Sequence, residues 1–245
     1  MSNPESVTHR RILDSDEWCN LQTFLAEQVG VDRPTAIDFA VDGDLRFLSH
    51  QEMLTLWARA CVRAKLPVRR TEGFNPRPKL SLPLPRPVGV ASQCERLVLK
   101  LNEPMTAQSL REALSPVLPP GIDILHLADA QPDECLPQRV TYTVTIKPHE
   151  RQVAADQAKR CLEFNPVWHE RYVHKESRNK MIDLRPYIDS IDVQPTQVVF
   201  SLWVTAGGSA KPVEICRELG LDETIEARLL CRREIQWQSK RSTNP

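Results

Sequence analysis

The sequence predicts an α+β chain made of two copies of a β-α-β-β-α-β unit, each with an antiparallel sheet. Three observations carry the prediction. Apolar residues alternate at period two in some segments and recur every three or four residues in others. The two kinds of segment follow one another in nearly the same order twice. An aperiodic stretch, "DAQPDECLPQ" at 129–138, separates the two runs and reads as a linker.

Residues 1–35 stand ahead of the first unit. The first 14 have no periodicity, and Trp18, Leu21, Leu25 and Val29 then follow helical spacing, with Ser15 as N-cap and Gly30 as stop. The first unit is expected over 36–128. Ile37, Phe39 and Val41 alternate as in a strand, and Leu45 to Leu48 are expected to continue it past the turn residues Asp42-Gly43-Asp44. Ser49 and Glu52 have the spacing of a capping box. Behind them Met53, Leu56, Trp57, Ala60, Cys61 and Ala64 give one apolar stripe, which sets a helix that stops before Pro67.

"RRTEGFNPRPKLSLPLPRPVGV", 69–90, comes next. Pro83, Pro85 and Pro87 are two apart, so their missing N–H groups fall on one side of an extended chain. That side cannot join a ladder, and the segment must be an edge or irregular. Leu80, Leu82 and Leu84 point to the opposite face and anchor it. A strand over 94–101, a helix carrying Leu110, Leu114 and Val117, and a strand at "IDILHL" complete the unit. The second unit, 139–238, begins with the alternation Val140, Tyr142, Val144, Ile146. It continues through a helix at "HERQVAADQAKRCLEF", the segment "VWHERYVHKESRNKMIDL" with room for one or two strands and a mobile loop, a strand at "TQVVFSLWV", a short helix at "KPVEICREL" and a last strand ending "EIQW", with an insertion around 175–195. Residues 239–245 are expected to be a disordered tail. This order makes each unit ferredoxin-like.

Composition limits the function classes. Net charge is zero over 245 residues, so the overall charge selects no polyanion. The distribution does. Residues 1–58 hold four Lys/Arg against ten Asp/Glu, and residues 59–87 hold eight against one. Seven scattered cysteines, none in a CxxC pair, fit buried thiols in a reducing cytosol rather than a disulfide framework, zinc ribbon or cluster site. Without an apolar span or leader-like N-terminus, the chain is expected to be cytoplasmic, with no membrane partner.

The basic block is the first candidate site. Arg69, Arg70, Arg77 and Lys79, with Arg86 further on, are held among prolines, so little entropy is lost in presenting them. Phe74 and Asn75 add an aromatic face and an amide, a combination suited to single-stranded nucleic acid. A charge run more often forms a solvated face, and the stiff backbone is what argues for more here. His50, at the first turn of the secure helix, is placed to meet a phosphate or to act as general acid or base, with Arg46 close by. "WHERYVHKESRNK" offers a second cationic loop through Arg171, Lys175, Arg178 and Lys180, with Trp168 and Tyr172 expected as core or hinge residues. His169 and His174 are spaced poorly for a metal. "TAGGSAKPVE" lacks P-loop spacing and reads as a strand-to-helix turn. No catalytic order of residues stands out, and no metal site is expected.

The stretch from "GDLRFLSH" through "GFNPRPKLSLPLPRPVGV" to "LVLKL", 43–101, resembles the radical-SAM-linked protein family. "MIDLRPYI" and the Gly-Gly turn before "KPVEIC" agree with it. The resemblance implies a radical SAM protein as partner. The iron–sulfur cluster and SAM would belong to that partner, and this chain would carry no cofactor. A more distant fold-level likeness to repeat-processing RAMP ribonucleases of CRISPR systems implies RNA as ligand. The expectation is an accessory RNA-binding or substrate-presenting protein in tRNA or rRNA modification, using Arg46, His50, Arg69, Arg70, Asn75, Arg77 and Lys79. The alternatives are a metal-independent ribonuclease with His50 as its catalytic group, and a module that docks the radical SAM partner through its proline edge.

Overall fold

The computed structural model describes residues 28–30, 33–130, 135–173, 177–221 and 230–238. Within them the fold is α+β: four α-helices, an eight-stranded mixed sheet, a separate two-stranded hairpin and one short extra strand pair. The expected helix from Ser15 and the expected tail lie outside the described residues. Val29 does not belong to a helix. It sits in strand β1 (Gln28–Val29), paired with β5 (Met105–Thr106), and its side chain is buried.

The first half runs β2 (Thr35–Val41), α1 (His50–Arg63), β3 (Leu80–Ser81), β4 (Ala91–Leu99), α2 (Ala107–Leu114) and β6 (Ile122–Asp129). β2 lies between β4 and β6, antiparallel to both, and β3 pairs antiparallel with β4. Ile37, Phe39 and Val41 meet Met53, Trp57 and Cys61 of α1 and Leu110 and Leu114 of α2 in one core. Phe39 and Trp57 pack edge to face, with ring centroids 4.8 Å apart. α1 has the expected capping box: Ser49 Oγ accepts from the Glu52 N–H, and the Glu52 carboxylate accepts from the Ser49 N–H. Leu45 to Leu48 do not extend β2. Asp42 caps Gly43, and residues Gly43–Phe47 form a 3₁₀ turn. Apolar spacing over so few residues fits either conformation, and the side-chain cap decides it.

The second half runs β7 (Pro137–Thr145), α3 (Arg151–Glu163), β10 (Ile188–Val193), β11 (Gln197–Trp203), α4 (Pro212–Glu218) and β12 (Cys231–Trp237). The insertion falls earlier than expected. It is the hairpin of β8 (Trp168–Val173) and β9 (Arg178–Asp183), while 188–193 is a strand of the main sheet. Val140, Tyr142 and Val144 of β7, with Ile146 just after it, form a second core with α3 and α4.

The halves share one sheet in the order β10-β11-β7-β12-β4-β2-β6. The seam is the parallel pair β12 and β4, joined among the described residues at Cys231–Ala91 and Arg232–Ser92. β3 occupies the same side of β4 further along. The proline ribbon therefore crosses the seam: Leu80 and Leu82 pack in the first core and Leu84 against the second. No helix among the described residues is long and apolar enough to cross a membrane.

Candidate nucleic-acid interface

Residues 69–79 fold out of the body as a tight hairpin. Arg69 N–H donates to the Lys100 carbonyl (2.8 Å), Thr71 N–H to Arg77 (2.8 Å) and Lys79 N–H to Arg69 (2.7 Å). Arg77 N–H also donates to Thr71 Oγ1 at 3.0 Å. Gly73 turns the tip with φ +118°, a conformation that disfavours a side chain. The following Phe74 is fully exposed. Arg69, Arg70, Asn75, Arg77 and Lys79 are all exposed on this one element. Among the described residues no carboxylate pairs with Arg69, Arg70, Arg77 or Lys79.

Arg86 does not belong with them. It is buried, and its guanidinium donates to the carbonyls of Arg46, Leu45, Leu48, Pro87 and Val90. Burial lowers its pKa from the free arginine value. Gly89, at φ +85°, adds an N–H bond of 2.8 Å to the Arg46 carbonyl. The two signature segments are thus one structural unit: the proline ribbon clamps the turn that precedes α1.

Arg46 and His50 stand in that clamped turn and at the start of α1, apart from the hairpin. The Arg46 guanidinium lies 4.8 Å from the centre of the Phe47 ring. His50 is half-buried, with its Nδ1 buried and without a hydrogen-bond partner among the described residues. The Glu52 carboxyl is held below the usual range by the Ser49 hydroxyl and N–H.

Between α1 and the hairpin lies a cleft of about 690 Å³. Leu54, Val62 and Leu80 line it, with Arg59 and Arg63 on the helix side and Arg77 on the hairpin side. A second cleft, about 640 Å³, runs along the other flank of α1 and shares Arg59 and Arg63. These helix residues were not legible as site residues, although a signal existed. Leu54 and Val62 fall off the inward stripe of α1 and leave apolar groups on its nominal solvent face.

The second cationic loop is engaged with the body at several residues. Arg171 forms a two-pronged pair with Glu214, and His169 Nδ1 lies 2.6 Å from Glu218 Oε1. Lys175 lies outside the described residues, and Arg178 and Lys180 are exposed. Trp168 and Tyr172 are exposed rather than core residues. The sheet face away from the helices is also self-satisfied. Arg96 pairs with Asp38 at 2.6 Å and lies over Trp237, and Arg139 pairs with Asp189 at 2.8 Å and faces Trp203. Cations already on those rings leave little face for a base. Among the described residues no group of three or more His, Cys, Asp or Glu is arranged to hold a metal.

The fold and this surface define an α+β protein with a rigid cationic hairpin beside a cleft. The chain belongs to the family described as "Uncharacterized protein conserved in bacteria (DUF2344)", whose model matches residues 35–213. No curated protein matches it.

Proposed function

We propose that this chain is an RNA-binding accessory protein that presents tRNA or rRNA to a radical SAM enzyme. The observation that carries the RNA half is the hairpin: four cations on a hydrogen-bonded scaffold, with no acid of the described chain to neutralise them. Such an arrangement favours a polyanion, because the backbone that carries the cations is already ordered and no internal ion pair must break. The partner half rests on the sequence signatures. Their structural coupling through Arg86 supports reading "GDLRFLSH" and the proline ribbon as one functional surface. The partner would supply the cluster and the radical, and this chain the position of the substrate.

We also propose that each half is a ferredoxin-like unit. Strand orders β6-β2-β4-β3 and β12-β7-β11-β10, with both helices of each half packed in one core, support it.

The test is binding of a labelled tRNA transcript across a salt series, wild type against Arg77→Ala/Lys79→Ala. Two lost phosphate contacts should flatten the log–log salt slope by about 1.4 to 1.8 and weaken binding at low salt. Equal affinity and equal slope would remove the hairpin from the interface.

A further inference from the structure

We propose that the cleft between α1 and the hairpin holds one unpaired nucleotide of the RNA, its base on Leu54, Val62 and Leu80 and its phosphate between Arg59 and Arg77. This inference rests on the RNA-binding reading and names the substrate class. Three features of the cleft select it. The volume, about 690 Å³, lies in the range of clefts that hold a small ligand. The floor is aliphatic and accessible: Val62 is 53% exposed, and Leu54 and Leu80 are partly so. A base offers such a floor its flat face only when it has left the stack. In A-form duplex RNA the deep major groove admits no side chains and the bases are covered by one another.

The walls are cationic from both sides. Arg59 and Arg77 have no acid partner among the described residues, and the cleft is lined by no carboxylate. Arg63 donates to the Val117 carbonyl at 2.7 Å, so it is a fixed part of the wall. An acidic or apolar peptide would match one part of this lining and not the other. A nucleotide matches both, with an apolar face and an anionic tail. The hairpin sets the spacing. Its base is locked by the Thr71–Arg77 and Lys79–Arg69 bonds, which fixes the Arg77 backbone across the cleft from the helix, while Phe74 at the tip is fully exposed. Phe74 is placed to stack a second unpaired base, a contact that aromatic residues make without regard to sequence.

The experiment uses the full chain and two fluorescein-labelled RNAs of about a dozen nucleotides, one single-stranded and one fully paired, read by anisotropy. Wild type is expected to bind the single strand at least tenfold tighter than the duplex. Val62→Glu, a change at an exposed position, should lose about tenfold or more on the single strand and less than threefold on the duplex. Phe74→Ala should lose about fivefold or more on the single strand. Circular dichroism melts that match wild type keep the variants interpretable. If wild type binds both RNAs equally, or Val62→Glu binds the single strand as wild type does, the nucleotide site is overturned while RNA binding stands. If neither RNA binds, the functional reading fails and the site with it.

Discussion

Arg86 and Arg77 have the same neighbours in sequence, each between two prolines, yet one is buried and the other exposed. Local sequence cannot separate them. What separates them is where the chain goes: residues 69–79 loop outward, and residues 82–90 pass over the seam, where a guanidinium meets five carbonyls. Arginine suits that place, since its planar fork reaches several acceptors and stays charged despite burial. Arg86→Met should therefore strand buried carbonyls and lower unfolding free energy by about 3 kcal/mol, read from urea titration. Arg86→Lys should recover only part, because an ammonium cannot span the same acceptors. A loss under about 0.5 kcal/mol for Arg86→Met would mean that water replaces the clamp at no cost. His50 was legible as a helix-start residue, because Ser49 and Glu52 announce the cap. Its buried, unpartnered Nδ1 was not, since burial there depends on the folded turn.

Elements with one strong period were legible with close boundaries, and elements without one were not. α1 and β7 carry clean stripes and fall where the spacing puts them. The β8–β9 hairpin is charged along both strands, so its pattern blurs into the loop, and ion pairs join Ile182 in holding it to the body. Arg171 reaches Glu214 in the first turn of α4, and His169 reaches Glu218 one turn on. Burial opposes the Glu214 charge, but hydrogen bonds from Arg171 and from the Lys211 N–H outweigh it and hold the carboxyl below its ordinary value of 4.5. A carboxyl depressed in the folded state stabilises fully above its unfolded pKa, and the gain is lost as pH falls through the folded one. Wild type should therefore lose Tm more steeply than Glu214→Gln between about pH 5 and pH 3, with the variant lower at pH 7 by the equivalent of about 1 to 3 kcal/mol. Parallel Tm profiles for the two proteins across that range would show that the ion pair adds no pH-dependent stability.

At the scale of the whole molecule, a mixed α+β chain with strands and helices in both halves was legible, and the fusion of those halves into one sheet was not. The joining contact links residues far apart in sequence, and nothing in either strand's own pattern specifies a neighbour. Among the described residues the seam has two backbone-paired positions, and side chains add to the coupling. Arg232, 1% exposed, donates to Glu95 at 3.0 Å and to the Pro85 carbonyl at 2.9 Å, tying the last strand, the central strand of the first half and the proline ribbon together. Glu95 is buried as well, so each charge depends on the other. Arg232→Met should cost about 3 to 5 kcal/mol, since it leaves a buried carboxylate without its cation, and Glu95→Gln should cost less. The double variant should fall short of the sum by about 2 kcal/mol or more, the mark of direct coupling. Calorimetry then tests the seam itself. Wild type is expected to unfold in one transition, because the shared strand pair and the clamp make each core's surface part of the other's support. Arg232→Met should broaden or split that transition as the two cores separate in stability. Additive costs with a single sharp peak in every variant would place the coupling elsewhere, in the leucines of the ribbon.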